Sequence, residues 1–251
     1  MRFIHNQPVL FIDEISALVL ADLHIGIEHE LYKSGINIPT QINKMRNQIE
    51  KLIKKTGAKR LVLLGDIKHE VPGISFQEQR EIPVFLEELS KIARIDICIG
   101  NHDTFLKNIV PKGIKIHSSK GFKIKKYGFL HGHAWPAESL LSSDCIIISH
   151  IHPAIEFKDK LGYRIVKPIW IKSNVRSEKI FEKYKKQIKE LKVVVIPSFN
   201  KLISGSPINV QNKNTGMIEF LGPLMKNDFI DLKKAEIYLL DGTFLGKFHD
   251  L

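Results

Sequence analysis

The sequence contains very few of the residues that covalently staple small folds. Cys98 and Cys145 are its only cysteines in 251 residues, and each lies in an apolar, strand-like run. Isolated cysteines of this kind are typical of small buried hydrophobic residues in a reducing compartment, which argues against a disulfide framework. A chain of this length buries about 70% of its unfolded surface, so it needs no staple to fold.

Long apolar runs are also missing. No segment approaches the ~18 uninterrupted apolar residues of a membrane-spanning helix, and the apolar stretch near the N-terminus contains Asp13 and Glu14, unlike a signal peptide. Acidic residues are scarce, because 38 Lys and Arg against 27 Asp and Glu leave a net charge of +11. We therefore expect a cytoplasmic protein whose charge favours nucleic acid or anionic lipid, unless that charge only solvates the surface.

The first two thirds of the chain alternate between strand-like and helix-like segments. Apolar strand patterns occupy 8–13, 17–22, 60–66, 94–101, 122–132 and 144–150. Amphipathic helix patterns occupy 39–56, which ends before Gly57, and 76–89, where Pro83 indicates a break or a first turn. Each apolar strand leads into polar residues, and ligands of α/β sheets bind beyond the carboxyl ends of the strands. The pattern predicts an α/β fold with one functional edge.

The last third is more basic and more β-like. A hairpin pattern at 157–172 and a helix pattern at 177–191 form a basic extension around 156–192 of a single domain over 1–251. Strand and turn character returns at 193–205 and 216–224, and Asp241-Gly242 predicts a hairpin over 235–248.

Two interpretations of the basic extension stay open. It could follow the phosphates of a nucleic acid, with Tyr163 and Trp170 available for stacking on bases. Alternatively it is a solvated helix face with ordinary core aromatic residues. On the predicted helix, Lys185, Lys186 and Lys189 share one face, but Glu182 falls on that face too and could pair with Lys186.

Five polar clusters follow the strands and supply carboxylates, imidazoles and one amide oxygen, but no thiolate. They are Asp22-Leu23-His24, Gly65-Asp66, Gly100-Asn101-His102-Asp103, His131-Gly132-His133 and Ser149-His150-Ile151-His152. Such donors suit Mn²⁺, iron or Zn²⁺ in a catalytic site. Residues i and i+2 of an extended segment point to one side, so D-x-H and H-x-H predict pairs that reach one metal centre. The glycines permit tight turns beneath the cluster.

This ordered set resembles the calcineurin-like metallophosphoesterase superfamily, whose pattern runs D-x-H, G-D, G-N-H-[DE], H and [GS]-H-x-H. All five elements occur in that order between residues 22 and 152, with Ser149 where many members have glycine. The segments GDIKHEVPG, HGHAWP and PSFNKLISG are most similar to the prokaryotic branch that includes the DNA-ligase-associated, ICC-like metallophosphoesterases. The resemblance implies a calcineurin-like four-layer α-β-β-α sandwich with mixed sheets.

The resemblance also implies a site for two divalent metal ions, with Mn²⁺ the first candidate and Fe, Zn, Ni or Co as alternatives. One ion would be held by Asp22, His24 and His152, the other by Asn101, His131 and His150, and Asp66 would bridge them. His102 resembles the family's catalytic histidine, which stabilises the transition state or protonates the leaving oxygen. Asp103 would then fix the tautomer of His102.

Three further polar residues are candidates for contacts with a substrate. His69 follows Asp66 closely and either supports the ligands, faces the substrate, or does neither. His133 competes with His131 for the metal position, and we prefer His131 because it directly follows a strand. Asn200 matches a family segment near the site, although it could equally be an ordinary turn residue.

The function that the resemblance implies is hydrolysis of phosphodiester bonds by a hydroxide that two metal ions activate. Single-stranded or damaged DNA is a candidate substrate, which would connect the protein with DNA repair. One alternative is a phosphomonoesterase or small-nucleotide hydrolase with the same metals, since the groove beyond the metals sets substrate size. Another is a catalytically idle nucleic-acid-binding subunit, although the intact ligand set and His102 argue against it. The sequence indicates no oligomeric state.

Overall fold

In the computed structural model, which describes residues 1–210 and 222–251, the strands before the polar clusters are buried on both faces. Strands of this kind need a covering layer on each side. Three separate apolar cores supply it: helices against one sheet, the two sheets against each other, and helices against the outer face of the second sheet. This confirms the predicted α/β sandwich with two mixed sheets.

The first sheet contains six strands in the order of the chain. They are β1 (Arg2–Phe3), β2 (Leu10–Ile12), β3 (Ala17–Leu20), β4 (Arg60–Leu64), β5 (Arg94–Cys98) and β6 (Lys115–His117). The pairs β1–β2 and β2–β3 are antiparallel, whereas β3 to β6 run parallel. Since parallel strands end at the same edge, the segments after β3, β4 and β5 leave the sheet together.

Over residues 1–210 and 222–251, the second sheet contains nine strands, and its order departs from that of the chain. They are β7 (Phe122–Ile124), β8 (Tyr127–Phe129), β9 (Cys145–Ile148), β10 (Pro153–Lys158), β11 (Arg164–Asn174), β12 (Lys192–Val195), β13 (Ser206–Pro207), β14 (Glu236–Leu239) and β15 (Phe244–Lys247). The order is β13-β10-β11-β12-β9-β8-β7, and β14 pairs with both β11 and β15. The hairpin predicted around Asp241-Gly242 is confirmed as β14–β15. The single strand expected over 122–132 is instead the β7–β8 hairpin.

The described residues form five α-helices. They are α1 (Ile27–Lys33), α2 (Ile42–Thr56), α3 (Phe76–Ser90), α4 (Ser177–Tyr184) and α5 (Pro223–Lys226). As predicted, α2 ends at Gly57, which has a φ of 69°. The break expected at Pro83 is wrong, because α3 continues through it from a capping box at Ser75 and Glu78. Its apolar face is buried against the first sheet, which offsets the hydrogen bond that proline removes.

The helix predicted over 177–191 is too long. α4 ends at Tyr184, and Lys185 adopts a left-handed conformation with a φ of 54°. Leu191 is nevertheless buried in the same outer core as Ile180 of α4. The chain reaches that position in an extended form that leads directly into β12, so tertiary packing overrides the helical pattern. Of the strand and turn expected at 216–224, residues 216–221 lie outside the described part of the chain. The described chain resumes at residue 222, and α5 begins at Pro223.

The inter-sheet core accounts for both cysteines and one candidate stacking residue. Cys98 and Cys145 are free and buried there, as expected. Trp170 is fully buried and stacks on Phe3 with ring centroids 4.2 Å apart, so it is not available to a base. None of the helices over 1–210 and 222–251 is long and apolar enough to cross a membrane. The single-domain organisation and the cytoplasmic location stay predictions.

Candidate metal centre

Buried carboxylates and imidazoles meet where parallel strands of the two sheets end. The ligand atoms of one group lie within 4.8 Å of one another, and this group comprises Asp22, His24, Asp66 and His152. A second group with the same spacing comprises Asp66, His131 and His150. The loops after β3, β4, β8 and β9 supply these side chains. The structure thus brings together all the histidines and aspartates that the sequence assigned to two metal ions.

Asp66 belongs to both groups, and its two oxygens have different surroundings. Oδ2 lies 3.6 Å from Nε2 of His24 and 3.3 Å from Nε2 of His131. Oδ1 accepts a hydrogen bond of 2.9 Å from the backbone N–H of His102. One oxygen therefore faces both groups while the other is held by the loop after β5. This position fits the bridging role that the family resemblance implies.

The donor atoms of the first group are buried without hydrogen-bond partners in the described structure. They are both carboxylate oxygens of Asp22 and the Nε2 atoms of His24 and His152. Oδ1 of Asp22 lies 3.4 Å from Nε2 of His152. An unsatisfied buried polar group costs about 1–3 kcal/mol, so buried polar groups normally have partners. Oxygen and imidazole donors with open positions fit a divalent transition-metal ion.

The orientation of His131 is fixed by hydrogen bonds at its Nδ1 atom. Its Nδ1 donates to the backbone oxygen of Leu64 at 2.7 Å. The hydroxyl of Ser149 donates to the same oxygen at 2.9 Å and lies 3.1 Å from Nδ1. Nε2 of the neutral ring is then the acceptor nitrogen, and it lies 3.2 Å from Oδ1 of Asn101. This arrangement leaves Nε2 and Asn101 facing a shared position, as two ligands of one ion would.

The electrostatics of the cluster favour added positive charge. Burial would lower the pKa of His131, but the charges of Asp66 and Asp22 raise it to about 9. Burial lowers the pKa of His24 to about 2 and that of His150 to about 3, so both imidazoles are neutral at pH 7. Burial would raise the pKa of Asp66, yet the neighbouring His131 holds it below its ordinary range. His131 is therefore protonated at pH 7, and its Nε2 becomes an acceptor only when a bound ion displaces that proton, since metal binding to an imidazole releases a proton.

The backbone at the ligands is not extended, which corrects the sequence argument from side-chain alternation. The φ angles are 56° at Asp22, 41° at His24, 50° at Asp66, 76° at His150 and 44° at His152. Left-handed conformations are uncommon for residues other than glycine and cost about 1 kcal/mol or more each. The ligands therefore converge because the chain turns sharply at each of them.

Two glycines are required by close approaches at the centre. A Cβ atom on Gly100 would lie 2.2 Å from Oδ1 of Asp66, and one on Gly65 would lie 2.5 Å from Nδ1 of His131. Both distances are far below van der Waals contact. The expectation that these glycines let the backbone pass beneath the ligands is confirmed.

His102 lies beside the first group, but Asp103 does not contact its ring as expected. The ring centroid of His102 is 4.8 Å from that of His24, and its Nδ1 lies 2.6 Å from the backbone oxygen of His69. Because a carbonyl can only accept, Nδ1 carries a proton, and His69 rather than Asp103 fixes the tautomer. Asp103 instead accepts from the N–H groups of Ile67 and Gly100, each at 2.8 Å.

The buried Asp103 carboxylate therefore ties the loop after β4 to the loop after β5. Burial raises the pKa of Asp103 to about 6, and the charge of nearby Asp66 adds to the effect. Its oxygens accept from backbone N–H groups of both loops, whereas the ring of His102 bonds to the backbone oxygen of His69. The prediction that Asp103 fixes the imidazole of His102 is wrong. Asp103 instead holds together the two loops that carry Asp66 and Asn101.

His69 lies at the rim of the first group. Its Nδ1 is 3.2 Å from Nδ1 of His24, and its Nε2 contacts the carboxylate of Glu30. His24, His69 and His102 also form a third cluster with metal-ligand spacing. Glu30 belongs to none of the sequence motifs. The one sequence feature that connects it with the centre is its place in α1, the helix that directly follows the D-x-H motif.

His133 and Asn200 lie near the centre in different ways. The ring of His133 is 5.2 Å from that of His131, and its Nδ1 is buried without a partner in the described structure. Burial lowers the pKa of His133 to about 4. Asn200 donates to the backbone oxygen of Leu23 at 2.8 Å and accepts from the N–H of Leu202 at 2.9 Å. Its amide thus holds the segment between Asp22 and His24, and a contact of Asn200 with a substrate stays a prediction.

Solved structures share this architecture. Over 93% of this chain and 89% of that chain, the protein is similar to the nuclease MPE of Pseudomonas putida, with 15% identity and a TM-score of 0.54. The phosphoesterase Yfce from E. coli aligns over 92% of this chain and 97% of that chain, with 13% identity and a TM-score of 0.43. No protein-family model and no curated protein matches the sequence. The similarity to nuclease MPE shows that the chain has the calcineurin-like phosphoesterase fold.

Proposed function

We propose that the protein is a metal-dependent phosphodiesterase with two divalent cations, and that nucleic acid is its substrate. The observation that carries the proposal is the position of Asp66, whose Oδ2 faces two groups of ligand atoms at once. The unpartnered oxygens of Asp22 support it, because a buried carboxylate without a partner is costly unless a cation binds there. Mn²⁺ is the proposed ion, with Fe, Zn, Ni and Co as alternatives.

The residues of the chain have separate tasks in this proposal. Two cations bound between the groups would lower the pKa of a shared water and take up charge on the phosphoryl oxygens. Asp22 and Asp66 supply the negative charge that holds them, and the bond from His131 to Leu64 directs Nε2 inward. The carbonyl of His69 fixes the ring of His102. Since Nδ1 keeps its proton in this bond, Nε2 can donate only from the doubly protonated imidazolium; we assign to that form of His102 the proton that passes to the leaving oxygen, which returns the ring to its neutral tautomer.

Nucleic acid is favoured over a small phosphate ester by charge. The net charge of +11 gives the whole protein a field that attracts a polyanion. The structural neighbour from Pseudomonas putida is named a nuclease, and at 15% identity that name serves only as a guide to which substrates to try. The proposed relation to the DNA-ligase-associated branch is based on the motifs alone.

The deciding experiment compares three substrates on one Mn²⁺-loaded preparation. We expect elemental analysis to find about two ions per chain. We also expect turnover of bis-p-nitrophenyl phosphate and of a single-stranded oligonucleotide to exceed that of p-nitrophenyl phosphate, with all activity lost in chelator. Faster turnover of p-nitrophenyl phosphate would favour the phosphomonoesterase. Oligonucleotide binding without hydrolysis of any substrate would favour an idle binding subunit, and metal contents near zero after loading would contradict the two-metal site.

A further inference from the structure

The hairpin formed by β10 and β11 projects from the edge of the second sheet that carries the metal ligands. Val195, the last residue of β12, pairs with Ile148 at the end of β9 and with Ile171 of β11. The level of Ile171 therefore marks the end of the parallel strands. β11 begins seven residues earlier, at Arg164. At about 3.3 Å per residue, the hairpin reaches roughly 20 Å beyond the strand ends.

The base of this hairpin is continuous with the candidate metal centre. His150 and His152 lie in the short loop between β9 and β10, and β10 begins at Pro153. Pairing between β10 and β11 runs from Ala154–Pro168 to Lys158–Arg164. In the described part of the chain, no other strand pairs with the outer residues 155–158 and 164–168. A polymer that follows the hairpin would therefore arrive at the ligands.

The outer part of the hairpin is exposed on both faces yet rich in apolar side chains. Residues 157–168 are all exposed, including Phe157 at 41%, Tyr163 at 67% and Leu161 at 96%. Phe157 pairs with Ile165, and alternation along β11 places Lys167 on that same face. Tyr163 lies two residues before Ile165, just outside β11, where its backbone oxygen accepts from the N–H of Asp159 across the hairpin. Exposed apolar groups concentrated in one element mark a site of interaction. Two exposed aromatic rings provide surfaces for stacking.

The charge of the hairpin selects an anionic occupant. Its two acidic residues are already engaged: Glu156 pairs with Arg164 at 3.0 Å, and Asp159 accepts from the backbone N–H groups of Leu161 and Tyr163 within the turn. The remaining cations are Lys158, Lys160 and Lys167. Among the residues that the structure describes, none of these lysines pairs with a carboxylate. Lys167 shares the face of Phe157, Lys160 lies in the turn and Lys158 lies on the opposite face, so the lysines flank the rings as phosphates flank the bases of a single strand.

We propose that the β10–β11 hairpin is a binding arm for single-stranded nucleic acid. Phe157 and Tyr163 stack on unpaired bases, while Lys158, Lys160 and Lys167 contact the phosphates of a strand that continues into the metal centre. The proposal rests on the proposed function and names the element that binds its substrate. Single strands are specified because bases within a duplex are already stacked and leave no face for the rings.

Two variants test the arm on the Mn²⁺-loaded protein, with a phosphorothioate oligonucleotide that resists cleavage as the fluorescent probe. The double variant Phe157→Ala/Tyr163→Ala should bind at least fivefold more weakly, on the order of the loss of one stacked base. Tyr163→Phe keeps the ring and should bind as the wild type does. The triple variant Lys158→Ala/Lys160→Ala/Lys167→Ala should lower the slope of log affinity against log salt by about 2, at ~0.7 per lost contact.

A matched control removes the same charge elsewhere. Lys54 and Lys55 are exposed in the last turn of α2, and Lys59 is exposed just before β4, at the opposite edge of the first sheet. Lys54→Ala/Lys55→Ala/Lys59→Ala should leave the salt slope unchanged. All variants should keep the circular dichroism and the bis-p-nitrophenyl phosphate turnover of the wild type, since the altered residues are exposed and do not touch the ligands.

The outcomes separate the arm from the proposed function. Unchanged affinity and salt slope in both hairpin variants, with diester turnover intact, would overturn the arm and leave the phosphodiesterase standing. Absence of diester turnover in the wild type would instead overturn the proposed function, whatever the binding data show. Light scattering provides a further check. If the wild type is a dimer, and if the Phe157→Ala/Tyr163→Ala variant is a monomer with unchanged affinity for the oligonucleotide, the hairpin contacts a second copy of the chain instead.

Discussion

Asp22 and Asp96 are both buried carboxylates of the first sheet, with exposures of 0% and 1%, but their surroundings are opposite. Asp96 accepts from Nε2 of His117 at 2.7 Å and forms an ion pair with Arg60. Both oxygens of Asp22 lack a hydrogen-bond partner in the described structure. Two aspartates of equal burial thus differ in whether the protein itself supplies hydrogen bonds to them, and this difference separates a structural carboxylate from a candidate metal ligand.

The backbone shows the same contrast. Asp96 lies inside β5 and pairs in register with Val62 of β4, whereas Asp22 follows β3 with a φ of 56°. The centre therefore combines unsatisfied polar atoms with a strained backbone, while the Asp96 cluster has neither. Such costs persist where the surrounding structure imposes them, and they concentrate at functional sites. The comparison predicts that the two clusters respond oppositely to mutation.

The largest expected effect follows from removing the shared carboxylate of Asp66. Asp66→Asn should lower the turnover of bis-p-nitrophenyl phosphate by about 10³-fold or more, because metal ions contribute several kcal/mol and each 1.36 kcal/mol is tenfold in rate. Steady-state kinetics measures the loss of turnover, and elemental analysis of the same preparation measures the loss of bound metal. Asp96→Asn is the matched control and should retain turnover at 25 °C. Equal losses of turnover in the two variants would erase the distinction between the clusters.

His102 should matter for chemistry and not for metal binding. We expect His102→Ala to keep its metal content but to hydrolyse a single-stranded oligonucleotide ~10²–10⁴-fold more slowly. The loss should be much smaller for bis-p-nitrophenyl phosphate, whose leaving group needs no proton. Parallel rate measurements on the two substrates provide the check. An equal loss on both would assign His102 to binding or metal retention instead.

The stability of the metal-free protein should distinguish the two carboxylates directly. Asp96→Asn should lower the free energy of unfolding by about 3 kcal/mol, because it leaves Arg60 without its buried partner. Asp22→Asn should cost less than Asp96→Asn, because it removes no hydrogen bond, only the contacts of Oδ1 with His152 at 3.4 Å and His131 at 3.6 Å. Urea unfolding in EDTA compares the two. A loss from Asp22→Asn as large as that from Asp96→Asn would contradict the comparison.

Acid should weaken the Asp96 cluster in a defined pH range. Burial would raise the pKa of Asp96, but the hydrogen bond from His117 and the charge of Arg60 hold it below its ordinary value of 3.8. The ionised carboxylate therefore stabilises the fold above that value, and the contribution is lost as the pH falls through the lower folded pKa. The difference in unfolding free energy between wild type and Asp96→Asn should be constant above about pH 5 and shrink below about pH 4. A difference independent of pH would assign the stabilisation to packing.

The sequence predicted the convergence of the site better than its conformation. The order of the clusters after apolar strands was sufficient, because parallel strands end at one edge whatever their details. The left-handed backbone at Asp22 and His24 has only a weak sequence signal, since Asp and His adopt a positive φ more often than most residues but neither requires it. The partner of His102 could not be predicted either, because it is the backbone oxygen of His69, which any residue would supply.

The basic extension shows a second limit of sequence-based prediction, because the sequence does not indicate at which end of the sheet each basic segment lies. Hydrophobic spacing from Ile180 to Leu191 is typical of one helix, yet the chain leaves the helix at Lys185. Only the pairing of β11 shows that the hairpin and the segment after α4 lie at opposite ends of the second sheet. Their amino-acid composition groups the hairpin and the segment after α4 in one basic region, whereas the register of the strands places them far apart.

We therefore expect substitutions at residues 185–191 to have the smallest effect on nucleic-acid binding. The N–H of Lys192 donates to the backbone oxygen of Asp144, which precedes β9, so this segment lies at the sheet edge opposite the metal ligands. Lys186 is already paired with Glu138 at 2.6 Å. Lys185→Ala/Lys186→Ala/Lys189→Ala should leave the affinity for a single-stranded oligonucleotide and its salt slope unchanged. Anisotropy titrations beside the hairpin lysine variant make the comparison, and a slope reduced by about 2 here would move the nucleic acid to the other edge of the sheet.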